Sequence, residues 1–293
     1  MIYPLFFPRF HCRASRCGHS CCRGWEICID SVTESKYRSL QGPLGEELRR
    51  NIENGPDGAV FRLTEDRACP FLDENGLCRL IIRGGEDLLC GTCAAHPRFY
   101  GEIDGNELCG LGLSCEESCR LLLDGGRLRF ADGESGKLYM LPALCGFLRV
   151  PLPRKARVFR PAADPLRLPA FLRLLRECEP IDGDWRPSLD ALETALPRAV
   201  SALERQMSGP LVETANKIYA YILYRGLPDT ALYGIDSIVD FARMSTTYVL
   251  LEAVRTGRLN ESLRRWSEEI EYSDVNTALL CGAIRPKSRA RHT

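Results

Sequence analysis

The chain has 293 residues, 45% hydrophobic and 27% charged, with lysine plus arginine and aspartate plus glutamate equal at 39 each. That composition suits a soluble globular protein of one large domain or two modest ones and excludes disorder over most of its length. Zero net charge argues against nucleic acid as the main partner, because phosphate binding leaves a basic excess. No apolar run reaches the roughly 18 residues of a membrane helix, so no membrane partner is expected. Pro4, Pro8 and Arg9 interrupt the N-terminal stretch before a signal-peptide core can form. The expected compartment is the cytoplasm, where thiols stay reduced.

The first 120 residues are broken by turn signals at Gly18, Gly24, Gly42-Pro43, Asn54-Gly55-Pro56, Asn75-Gly76, Gly84-Gly85 and Asp104-Gly105. This pattern predicts short helices, few strands and long loops. One helix is expected over 43–54, with Glu46 and Glu47 early, Arg49 and Arg50 late, and Gly55 as its stop. Another is expected from Ser114, which forms the capping-box pattern with Glu117, to Gly125. Residues 126–165 read as a connection with short β-like pieces around Phe130 and then several prolines. Helical periodicity follows at Phe171 to Leu175, at Leu189 to Leu203 with a kink or break at Pro197, at Leu211 to Ile222, and at Ile235 to Val254 in a long or broken helix ending at Gly257. Asn260 is a candidate cap for a last helix through Trp266 and Ile270, and a basic tail covers 285–293. The expected fold is mainly α: an irregular cysteine-rich metal-binding region (1–125) packed, through the connection, on a C-terminal helical bundle (166–284).

Cysteine usage carries the chemistry. Of fifteen cysteines, twelve fall by residue 119, five of them between Cys12 and Cys28. Dense, uneven clustering in a reducing compartment favours metal or catalytic use over disulfides. Cys17 and Cys21 are four apart, Cys22 adjoins Cys21, and Cys90-x-x-Cys93 is a compact chelating pair. Cys69 and Cys78 flank Asn75-Gly76, a tight-turn signal that returns the chain on itself. Thiolate ligation selects zinc or an iron–sulfur cluster, and these spacings suit either. His11 and His19 lie inside the first cluster and read as surface groups or as partners of the ligands. Cys109, Cys119, Cys145, Cys178 and Cys281 read as buried apolar residues.

The segment C-x4-C-x3-C-C-x-G-W-x-I-x-I-D, Cys12 to Asp30, resembles the opening of flagellin lysine-N-methylases. Cys69-Pro70-Phe71-Leu72 with Gly76-Leu77-Cys78, then Thr92-Cys93 with His96-Pro97-Arg98-Phe99-Tyr100, then Leu113-Ser114-Cys115-Glu116 resemble the family's later blocks in the same order. The N-terminal part is also similar to a broader group of zinc- or iron-chelating C-x3-C-C domains. The resemblance implies methyl transfer from S-adenosylmethionine to lysines of flagellin and an iron–sulfur cluster, of 4Fe-4S type, on cysteines. Spacing and resemblance together nominate Cys17, Cys21, Cys22, Cys69, Cys78 and Cys93 as metal ligands, with zinc the alternative metal. For the methyl donor the sequence offers only Gly110-Leu111-Gly112 as a glycine-rich loop, and no Rossmann or P-loop pattern.

A lysine amine attacks a methylsulfonium only when neutral, against a free pKa of about 10.4, so the site must strip its proton or desolvate it. Asp30, Tyr37, His96, Tyr100 and Glu116 are the candidates near the matched blocks, and Trp25 is a candidate to cover the cluster or the sulfonium. Two other classes stay open: a non-catalytic zinc- or iron-binding interaction module, and a thiol redox protein using Cys21-Cys22 or Cys90 and Cys93.

Overall fold

The structure, a computed structural model, describes residues 1–56, 58–161 and 167–284. From the N-terminus come β1 (Ile2–Pro4), α1 (Ser31–Ser39), α2 (Gly42–Arg50), β2 (Ile52–Gly55), β3 (Gly58–Phe61), α3 (Arg79–Gly84) and α4 (Gly91–Ala95). Next are β4 (Arg98–Ile103), β5 (Asn106–Leu111), α5 (Glu116–Asp124), β6 (Phe130–Asp132), β7 (Leu138–Tyr139) and α6 (Leu141–Phe147). The rest is helical: α7 (Arg167–Glu177), α8 (Trp185–Gln206), α9 (Gly209–Arg225), α10 (Thr230–Tyr233), α11 (Ile235–Thr256), α12 (Leu259–Trp266) and α13 (Asp274–Ala283). The fold is mainly α, as expected. No helix among the described residues is long and apolar enough to cross a membrane.

The chain divides into two compact units, one of Met1–Phe10 with the residues from Phe99 onward, the other His11–Arg98. The cysteine-rich segment expected as one block, 1–125, is therefore shared between them. In the larger unit β1 lies at the centre of a five-stranded sheet of order β4-β5-β1-β6-β7. Strand β1 runs parallel to β5 (Ile2 opposite Leu108) and antiparallel to β6 (Ile2 opposite Asp132). The hairpin β4-β5 turns at Asp104 and Gly105, whose φ of 49° and 72° are those of the mirror-image turn that matches strand twist. This sheet was not anticipated beyond the β-like piece at Phe130. Its short strands alternate too few residues to show a period.

Helices α8, α9, α11 and α12 build the core of this unit around Trp185, Leu189, Tyr219, Tyr221, Tyr248 and Trp266, all buried. Several expectations shift here. Helix α8 runs through Pro197 as one element instead of breaking. Helix α12 starts at Leu259 after Arg258, so Asn260 sits inside it and does not cap it. A π-helical turn, Ser267–Glu271, follows α12, and α13 begins after Ser273, whose hydroxyl accepts from the Asn276 N–H. Helix α11 ends as expected, at Gly257 in the left-handed conformation (φ 75°). The expected Ser114 cap is replaced: Ser114 is buried, Cys115 takes the cap position, and Glu117 turns to Arg120. Within the expected connection, β6, β7 and α6 supply buried Phe130, Tyr139 and Leu144 to the core. The basic tail at 285–293 lies outside the described residues.

In the smaller unit the helix expected over 43–54 stops at Arg50. Asn51 caps it, and buried Ile52 enters β2, paired antiparallel with β3 in the register Ile52–Phe61. Tertiary pairing outweighs the helical reading there, because Ile52 and Phe61 belong to one small apolar core.

Candidate functional site

The first cysteine segment has no helix or strand of its own before Ser31, apart from a short 3-10 turn at Ala14–Arg16. It is held by backbone bonds to segments 30 to 47 residues away. The Cys69 N–H donates to the Cys22 carbonyl (2.8 Å), Gly24 to Arg67, Phe61 to Ile27, and Ile29 to Ala59. Ile27, Ile29, Tyr37, Leu48, Phe61, Phe71, Leu80 and Leu88 close the core, together with Cys69 and Cys90. Cys22, Cys78 and Cys93 pack against it, half-buried.

Local chemistry places each sulfur. The Asp73 carboxylate accepts from the N–H groups of Asn75 (2.9 Å) and Leu77 (2.7 Å), and Gly76 takes φ 74°, so the chain reverses and Leu72 bridges to Cys78. Arg79 holds this turn by donating to the Pro70 carbonyl and pairing with Glu47. Asp30 caps α1 through Thr33 N–H (2.9 Å) and also accepts from Gly91 N–H (2.8 Å), which pins the start of α4 between Cys90 and Cys93. Those bonds, Gly91 first, hold the Asp30 carboxyl down at about 2. Thr92 completes the tie by donating to the Cys28 carbonyl (2.8 Å).

The thiols act on one another. Cys21 donates a hydrogen bond to Cys22 and brings its pKa down to about 7 despite burial. Cys93 donates likewise to Cys90, which also falls to about 7, while Cys93 itself is pushed far up by giving that bond and by burial. Cys69 is raised to about 12, chiefly by burial and then by the charges of Cys22, Cys78 and Cys90. Cys78 is raised by burial and by Cys22 and Cys90. Sulfurs from four chain segments thus stand within electrostatic reach of one another.

Of the six nominated ligands, Cys22, Cys69, Cys78 and Cys93 share this centre and Cys21 touches it through Cys22. Cys17 is half-buried beyond the 3-10 turn. Cys90 joins the centre although it was not nominated; its C-x-x-C spacing to Cys93 was the signal. Cys12 and Cys28 are exposed. Among the described residues no three His, Cys, Asp or Glu side chains stand in metal-holding geometry. The donor set, the sulfurs of Cys22, Cys69, Cys78, Cys90 and Cys93 with Cys21 beside them, is of the kind that a thiolate-held group takes.

The other candidates separate by environment. Tyr37 is fully buried, donates to the Leu88 carbonyl, and has its pKa raised by burial and then by Cys90, Cys93 and Cys78. His96 is brought down to about 4 by burial, so it is neutral near pH 7. Trp25 and Glu116 are half-buried, and Tyr100 is 57% exposed. Gly110 and Gly112 do not form an open cofactor loop. A Cβ at Gly110 would stand 2.6 Å from the Phe99 ring and 2.7 Å from the Tyr221 hydroxyl, and one at Gly112 would collide with Tyr272. These glycines admit aromatic rings against β5.

No family model and no solved structure matches the chain. A Salmonella muenchen protein named flagellar biosynthetic protein FliU is 30% identical over 139 residues, which is 45% of this chain and 82% of that protein. Lysine-N-methylases of Salmonella typhimurium and Salmonella choleraesuis are 32% and 31% identical over 136 residues, 44% of this chain and 34% of each of theirs. The matched stretch thus spans about a third of the length of those two methylases. With similarity across four-fifths of the FliU protein added to the ordered cysteine blocks, the chain belongs to the flagellin lysine-N-methylase family.

Proposed function

We propose that this chain is a protein-lysine N-methyltransferase that uses S-adenosylmethionine, acts on flagellin, and carries an iron–sulfur cluster on thiols of the smaller unit. The observation that carries the reading is the 30–32% identity to proteins named lysine-N-methylase and FliU. The thiol centre supports the cluster, with Cys22, Cys69, Cys78, Cys90 and Cys93 as the ligand pool and Cys21 beside it. When bound, such a group supplies a cross-link between four chain segments and a redox-capable centre.

This chain's own residues hold the ligands in place: Asp30 fixes the start of α4, Arg79 the Cys69–Cys78 turn, and Tyr37 the segment before Cys90. Asp30 is a poor base for the acceptor lysine, since its carboxyl is committed to two N–H groups. Tyr37 is equally committed to Leu88. His96, brought down to about 4 by burial, is a weak base as well.

The test is protein purified without oxygen, analysed for iron, zinc and acid-labile sulfide, then incubated with S-adenosylmethionine and flagellin and read by mass spectrometry. Matching iron and sulfide with donor-dependent methylation of flagellin lysines is the expected result. Zinc without sulfide and no methyl transfer would replace this reading with a metal-holding interaction module.

A further inference from the structure

The larger unit contains a cleft of about 500 Å³ between its N-terminal segment, the end of α5 with the residues that follow, and α9. That volume is in the range of small-molecule sites. Buried leucines of α5 form its floor, and Leu5 and Met140 line it while remaining 37% and 45% exposed. Its charged lining is entirely cationic: Arg9, Arg127, Arg129 and Lys217. In a chain whose net charge is zero, such a concentration is not an overall bias.

Lys217 is partly used by the fold. Its ammonium donates to the carbonyls of Leu123 (2.5 Å) and Gly125 (2.7 Å), where the end of α5 leaves carbonyls open. The nearby Asp124 carboxylate is taken by Arg120 at 3.1 Å. Arg9, Arg127 and Arg129 have no carboxylate partner among the described residues, and all three are exposed at the cleft. Three like charges around an apolar floor repel one another, and no ion pair among the described residues offsets that repulsion. An anion would.

We propose that this cleft binds an amphipathic anion, with an aromatic or alkyl body on the leucine floor and a phosphate or carboxylate facing Arg9, Arg127 and Arg129. Guanidinium groups suit such planar, multiply accepting anions. The ligand is not the methyl donor, because S-adenosylmethionine carries a sulfonium and an ammonium against one carboxylate and is itself a cation.

Isothermal titration of the full chain with two probes, ADP and laurate, tests it. Binding of either is expected, weakened at high salt and at least about tenfold weaker in the double variant Arg127→Glu/Arg129→Glu. Arg9→Glu, on a different segment, is expected to weaken it as well. Unchanged far-ultraviolet circular dichroism and melting would show that the exposed substitutions leave the fold intact. ADP alone would identify a nucleotide-like ligand and laurate alone an acyl one, both within the proposal. Binding of neither probe, or binding that survives both variants, overturns it.

Discussion

The two units hold themselves together by different means. In the larger unit, long helices bury whole faces, and Trp185, Trp266 and four tyrosines are almost fully withdrawn from water. In His11–Arg98 the core is a dozen residues, two of them cysteines, with three more cysteines packed on its edge. Helices α1 to α4 have nine residues or fewer, and the segment up to Asp30 has almost no regular structure. A core so small leaves room for a cross-linking group to contribute a large share of stability, which the helical unit does not need.

Metal removal is the strongest way to break that comparison. A chelator under anaerobic conditions, or Cys93→Ser, should abolish hydrogen-exchange protection across residues 11–98 while protection in α8, α9 and α11 persists. Full metal content and protection in Cys93→Ser would remove that cysteine from the centre.

Trp266→Ala should act in the opposite sense. It should cost roughly 3–5 kcal/mol in the helical transition measured by urea, leaving hydrogen-exchange protection across residues 11–98 unchanged.

The third prediction concerns pH. Glu269 is buried on the π-helical turn, accepts from the Ile181 N–H (2.8 Å), and is raised to about 7, first by burial and then by Asp182. Its folded pKa lies above the unfolded one, so the folded state binds the proton more tightly. The stability this contributes is complete below about pH 4.5 and is lost as pH rises through about 7. The loss is on the order of 3 kcal/mol at most. Glu269→Gln should flatten the change in urea midpoint between about pH 5 and about pH 8. An unchanged slope would exclude Glu269 as its source.

The smallest effects form a matched pair. Gly76 (φ 74°) and Gly257 (φ 75°) are both left-handed, and neither has a close obstacle to a Cβ. Alanine at either should cost about 1 kcal/mol from backbone strain. Gly76→Ala should lower only the transition of the cysteine unit and Gly257→Ala only that of the helical unit. If both lowered one common transition, the two units would not be independent.

What could be read in advance followed the range of the forces involved. The stop of α11 at Gly257, the reversal at Asn75-Gly76 and the stripes of α8, α9 and α11 depend on residues a few positions apart. A linear reading reaches those. The helix over 43–54 was overextended because Ile52 fits a helical stripe but pairs with Phe61 instead. Asn260 and Ser114 have good capping chemistry, yet the chain enters α12 two residues earlier, with Arg258 at the cap, and buries Ser114. The Gly110-Leu111-Gly112 loop looked open in sequence and is filled by rings from Phe99, Tyr221 and Tyr272, the last two over a hundred residues away.

By itself the sequence determined that this protein is mainly helical, that its cysteines are concentrated in the N-terminal part, and to which family it is related. Composition, periodicity and motif order are properties of the chain before it folds. Only the tertiary structure decided which thiols meet. Cys90 enters the centre, and Cys12 and Cys28 stay exposed, because the Cys22–Cys69 backbone bond and the Asp30–Gly91 bond bring remote segments together. The cationic cleft was equally invisible in sequence. Arg9, Arg127, Arg129 and Lys217 are spread over two hundred residues, and only the packing of α5, α9 and the N-terminal segment makes their charges neighbours.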